Sequence, residues 1–198
     1  MTRMHVMLGT VVAGRTQTEL FPPAAEVFEA DVLPLADRVA PVVSFELGLA
    51  NPAWRGRGVF LFTEDPAPGF LSWRMTEAGR VTKLTFDLAP TEPLRLEQSL
   101  NTLSGRFVSF DDHDVEVDLA RVVDDWSVFT RAIDPDFRKQ VLRRLRFGGV
   151  PCWMQRKTTE LEGDFVGEFP GAFAKLDSRT LYLFSADGVE FQQVVEMT

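Results

Sequence analysis

The sequence predicts an α+β fold that is predominantly antiparallel β-sheet with two or three helices. Three observations carry this. Short runs of β-branched and aromatic residues recur along the whole chain, Gly, Pro, Asn or Asp bound nearly all of them, and helical periodicity is confined to a few stretches. The 198 residues, 45% of them hydrophobic, suffice for one substantial core, so a single domain over residues 1–198 is expected. Seventeen Phe and four Trp against one Tyr mark the aromatics as core material rather than a wetted rim.

Taken in order, Met4–Ala13 reads as a first strand. It is too short to span a bilayer, and the Gly14-Arg15-Thr16-Gln17 that follows makes a poor signal-peptidase site. Further strands are predicted at Val42–Leu49, Val59–Thr63, Phe70–Met75, Val81–Leu88, Arg106–Phe110, Val115–Leu119, Phe165–Phe169, Leu181–Phe184 and Val189–Glu196. Pro22-Pro23 and Asp65–Gly69 read as turns. The clearest helix starts after Asp134-Pro135, sets Phe137, Val141, Leu142 and Leu145 on one side, and stops at Gly148-Gly149. A second runs through Val122, Trp126, Phe129 and Ile133, and a weaker third contains Leu96, Leu100 and Leu103. The segment from Val59 to Thr76 echoes that from Leu181 to Thr198 without a gap. That echo predicts a pair of aromatic hairpins in pseudo-symmetric halves of about 1–105 and 106–198, with chance convergence of two buried strand pairs as the alternative.

Charge and cysteine usage narrow the class. A net charge of -8 repels phosphate backbones and favours basic partners, so a general nucleic-acid binder is not expected. Arg138, Lys139, Arg143, Arg144 and Arg146 run together with no acid between them, and Lys139, Arg143 and Arg146 read as the solvated face of an amphipathic helix. The single Cys152 forms no intramolecular disulfide, which fits a reducing, cytoplasmic setting, and no apolar run reaches the about 20 residues of a membrane helix.

Candidate chemistry is sparse. Asp111, Asp112, His113 and Asp114, followed by Glu116 and Asp118, form an acidic run in which strict alternation puts Asp114, Glu116 and Asp118 on one face. Three readings fit it: a solvated acidic strand and turn, a docking surface for a basic partner, or a site for a hard divalent cation, although the spacing is not that of an EF-hand. His5, in the first strand, reads as structural. Cys152 lies between Pro151 and Trp153, a setting that raises a thiol pKa rather than activating it. Gly-x-Ser-x-Gly, P-loop, Gly-x-Gly-x-x-Gly and paired Cys-x-x-Cys motifs are absent, so no cofactor and no catalytic residue is assigned.

Gly148-Gly149-Val150-Pro151-Cys152-Trp153-Met154-Gln155, then Phe165–Phe169, Leu181–Phe184 and Phe191–Thr198, together resemble the YwqG-like family, also called DUF1963, over about the last sixty residues. Glu168 stands where that family's pattern has Gln, and only Asn51-Pro52-Ala53-Trp54 occupies the place of a Gly-Gly-x-Pro block before the first hairpin. The resemblance implies an α+β fold and a bacterial intracellular protein, some relatives of which neighbour toxin genes. The expected function is therefore a non-catalytic protein-binding protein, an immunity protein that occludes a basic toxin or effector. Asp111, Asp112, His113, Asp114, Glu116, Asp118, Trp153 and Gln155 are its candidate partner-binding residues. The alternatives are a metal-binding module or metal-dependent hydrolase built on Asp111–Asp114, and a small-ligand module with its pocket between the aromatic hairpins.

Overall fold

A computed structural model describes residues 2–15, 18–63, 70–87, 94, 103, 105–117, 135–152, 161–174 and 179–197. Among the described residues, eleven strands form one sheet: β1 (Thr2–Val12), β2 (Thr18–Leu20), β3 (Ala40–Glu46), β4 (Arg57–Phe62), β5 (Phe70–Met75), β6 (Val81–Phe86), β7 (Phe107–Val117), β8 (Arg146–Phe147), β9 (Asp164–Pro170), β10 (Arg179–Ser185) and β11 (Glu190–Met197). Their order is β4-β3-β2-β7-β1-β8-β9-β10-β11-β5-β6, and all strand pairs are antiparallel. Among the described residues the helices are short: α1 (Ala24–Val27), α2 (Pro135–Val141) and α3 (Gly171–Ala174), with 3-10 turns at Leu33–Asp37 and Leu47–Leu49. The predominantly antiparallel α+β prediction therefore holds. No helix among the described residues is long and apolar enough to cross a membrane.

The sheet curls until one edge meets its own interior. Gln193 of β11, fully buried, accepts from the Leu61 N–H of edge strand β4 (3.0 Å) and donates back to the Leu61 carbonyl (2.6 Å). Its carboxamide thus takes the place of a neighbouring strand, and satisfies two main-chain groups that burial would otherwise leave unpaired. At the other edge, Phe28 bridges to Val81 of β6, and Arg80 clasps that segment through the Glu29 carboxylate (2.7 Å) and the Phe28 carbonyl (2.6 Å). Phe45, Phe60, Phe147 and Phe169 fill the curl, with ring centroids 4.3 to 6.2 Å apart. Each such pair adds about 0.5–1.5 kcal/mol beyond its area burial. Gly167 is required beneath them, because a Cβ there would fall on the Arg146 carbonyl and the Phe147 ring.

Several expectations are corrected. Arg106–Phe110 and Val115–Leu119 are not separate strands: β7 runs unbroken through Asp111–Asp114 and pairs along its whole length with β1, from Thr2↔Val117 to Val12↔Phe107. Carboxylates that reach water do not interrupt a ladder made by the backbone. The helix from Pro135 ends at Val141, short of Gly148, because Leu145 is needed in the core and Arg146 and Phe147 enter the sheet between β1 and β9. Residues 59–76 do not form a hairpin like that of β10 and β11. Instead β4 pairs with the strand before it, β3, and β5 pairs with the strand after it, β6, and with the distant β11, so the two strands lie in different parts of the sheet. β2 and β8, three and two residues long, were too short to leave a periodic signal. The helix predicted through 122–133, most of that containing Leu96 and Leu100, and the Asp65–Gly69 turn lie outside the described residues.

Gln193→Leu, which keeps bulk and removes both hydrogen bonds, is expected to cost about 2–4 kcal/mol in urea unfolding. An unchanged midpoint would show that water reaches the β4 edge.

Candidate functional site

Side-chain alternation divides the acidic run. Asp112, Asp114 and Glu116 lie on one face of β7, level in register with Met7, His5 and Arg3 of β1, whereas Asp111 and His113 lie on the other face with Leu8 and Val6. On the first face the same strand is buried at Val108 and acidic and exposed from Asp112 onward. Arg3 donates to Asp114, and the His5 ring stands between Asp112 (3.2 Å from Nε2) and Asp114 (3.7 Å from Nδ1). The hydrogen bond from Arg3 holds the Asp114 carboxyl below its ordinary range. Its contribution to stability is thus present above the usual carboxylate pKa and lost as pH falls through the lowered one. His5 is exposed at this site rather than structural.

On the opposite face Asp111 meets the Arg144 guanidinium (2.7 Å). Arg144 also donates to the Leu8 (3.2 Å) and Gly9 (3.0 Å) carbonyls, the Thr10 hydroxyl and the Gln140 side chain (3.3 Å), tying the end of α2 to β1. Among the described residues, no three His, Cys, Asp or Glu side chains are grouped so as to hold a metal ion, and alternation supplies the reason for Asp111–Asp114. Asp118, Trp153 and Gln155 lie outside the described residues.

A cavity of about 640 Å³ opens beside His5 and Met7. Its walls are the Gly48–Trp54 segment, Gly148-Gly149, and Asp164-Phe165 at the start of β9. The two segments singled out in the sequence, Asn51–Trp54 and Gly148-Gly149, therefore converge on one hollow, which lies beside the middle of β1 and the start of β9. Gly148, at φ +72, lies so close to β1 that a Cβ would sit 2.7 Å from the His5 carbonyl.

Behind this wall lies an ion pair that the sequence reading placed in water. Arg146 is fully buried and not on a solvated helix face. Its guanidinium pairs with Glu168 (2.9 and 3.3 Å) and donates to the carbonyls of Gly148 (2.7 Å) and Val150 (2.7 Å). Glu168 accepts the Cys152 N–H (3.0 Å), and the Tyr182 hydroxyl donates to the Cys152 carbonyl (2.7 Å). In strand register Leu8, Arg146, Glu168 and Tyr182 form one row across β1, β8, β9 and β10. Burial is the largest influence and disfavours the arginine cation, but the field and hydrogen bond of Glu168, together with Cys152 and Tyr182, outweigh it and hold the guanidinium charged. Burial, then Glu168, pushes the Cys152 thiol well up against the counter-pull of Arg146, and the same two influences raise Tyr182. Both groups stay protonated near neutrality, which makes Cys152 a poor nucleophile.

Comparison with known protein families, curated proteins and solved structures finds no match. Sequence reading found the acidic strand, the glycine pair and the inert thiol. It missed His5, Asp164 and the Arg146–Glu168 pair, for which the Arg-rich run gave a misleading helical signal.

Glu168→Leu is expected to cost about 3–5 kcal/mol in urea denaturation, because it strands a buried guanidinium. Adding Arg146→Met should recover part of that loss. A cost below about 1 kcal/mol for the single variant would mean that the pair behaves like a solvated one.

Proposed function

We propose that this chain is a diverged YwqG-like protein that binds rather than transforms its target: an immunity protein whose acidic face docks on a basic toxin and occludes it. The supporting observation is the exposed row Asp112, Asp114 and Glu116, held in line by a regular ladder to β1 rather than by a loop. A rigid row of one charge sign raises the rate of encounter with an oppositely charged surface and needs no chemistry of its own. The net charge of -8 extends the same field over the molecule. The Arg3 guanidinium tempers the row at Asp114, which leaves Asp112 and Glu116 at its two ends as the better contacts for a basic partner.

The test is binding and toxicity of the product of the adjacent gene. The proposal expects co-expression to rescue growth, and expects Asp112→Lys with Glu116→Lys to slow association by about tenfold or more in low salt, with the difference shrinking as salt is raised. A neighbouring product that is neither toxic nor bound would overturn it.

A further inference from the structure

We infer that the cavity beside β1 receives a guanidinium group, supplied by an arginine side chain of a basic protein partner. This rests on the docking function proposed above and names the anchor that it would use. The volume of about 640 Å³ lies within the range of specific small-group sites, so it can admit a side chain and its flanking backbone. The chemistry of the walls selects the charge. Trp54, Phe165, Asn51 and Asp164 line the cavity, no Lys or Arg is among the described lining residues, and the His5 wall is backed by Asp112 and Asp114.

Two features favour guanidinium over a compact ammonium. Trp54 is half-buried, and its indole is braced against Gly188, where an added Cβ would come within 3.1 Å of Cγ. A braced indole presents a face on which a planar cation can stack without ordering cost, and Trp is the strongest of the aromatic partners for cations. Asp164 is exposed at the same cavity and offers two oxygens for a forked donor. The Phe165 ring already lies under the Arg146 guanidinium at 5.1 Å, so Trp54 is the face left for an incoming cation. The aromatic and acidic walls thus form a site of the same kind as the buried one beneath, but open to solvent.

The experiment titrates the whole protein with Nα-acetyl-arginine amide and follows the backbone amides of Asn51, Gly149 and Phe165 by NMR, a readout that survives in Trp54 variants, with Nα-acetyl-lysine amide and Nα-acetyl-glutamine amide as comparisons. Saturable binding of the arginine compound in the millimolar range, weaker binding of the lysine compound and none of the glutamine compound are expected. Asp164→Asn and Trp54→Ala should each weaken it by about tenfold, with Trp54→Phe retaining most of it. No saturation by the arginine compound, or equal binding of the glutamine compound, overturns the inference. A protein partner whose affinity falls with Asp112→Lys and Glu116→Lys but is unmoved by Trp54→Ala also overturns it, while leaving the docking function intact. Binding of the arginine compound with no basic protein partner found would instead assign the cavity to a free guanidino compound, and the protein anchor would be rejected.

Discussion

The Arg146–Glu168 pair is the constraint on which the remaining architecture turns. β8 is two residues long and sits near the middle of the sheet, where so short a strand has little hydrogen bonding of its own to fix it. What fixes it is the guanidinium, whose donors go to Glu168 of the next strand and to the carbonyls of Gly148 and Val150 in the segment that follows. Glu168 returns a bond to Cys152, and Tyr182 takes the Cys152 carbonyl. A loop that would otherwise bury unpaired main-chain groups is thereby satisfied by side chains of β8, β9 and β10. Removing two charges from water is costly, and the pair is tolerated because nearly every donor and acceptor in it is used.

That pinned loop forms a wall of the cavity, and the curl of the sheet brings the other walls to it. The Gln193 contact with Leu61 closes the curl, the phenylalanine cluster fills it, and the Gly48–Trp54 segment between β3 and β4 is carried to the middle of β1, beside His5 and Met7. The same closure leaves β1 and β7 with one face turned inward at Phe110 and Met7 and outward at Asp112 and Asp114. The acidic row and the cavity are thus two parts of one surface, joined through His5.

The parts of this that could be read from sequence are those governed by local periodicity. Alternation in Val115-Glu116-Val117 gave the acidic face, and apolar runs gave most of the longer strands. Arg146 misled because it continues the helical spacing of Lys139 and Arg143, whereas its burial depends on a carboxylate 22 residues away. Gln193 carried no signal at all, since a glutamine that stands in for a strand looks like any polar residue on a solvated face until the partner edge, 132 residues distant, is placed. The expected hairpin over 59–76 failed because β4 pairs back with β3 and β5 pairs forward with β6, while the second side of β5 is taken by the distant β11, which no local pattern announces.

Cys152 is the most informative position, because its N–H and carbonyl are both held by buried side chains rather than by a strand. Native-state hydrogen exchange at the Cys152 amide therefore tests the central claim directly. If the ion pair pins the loop, this amide exchanges only through global unfolding, alongside the core amides of β9 and β10. Exchange orders of magnitude faster than those amides would show that the loop opens on its own and that the wall of the site is not fixed in this way.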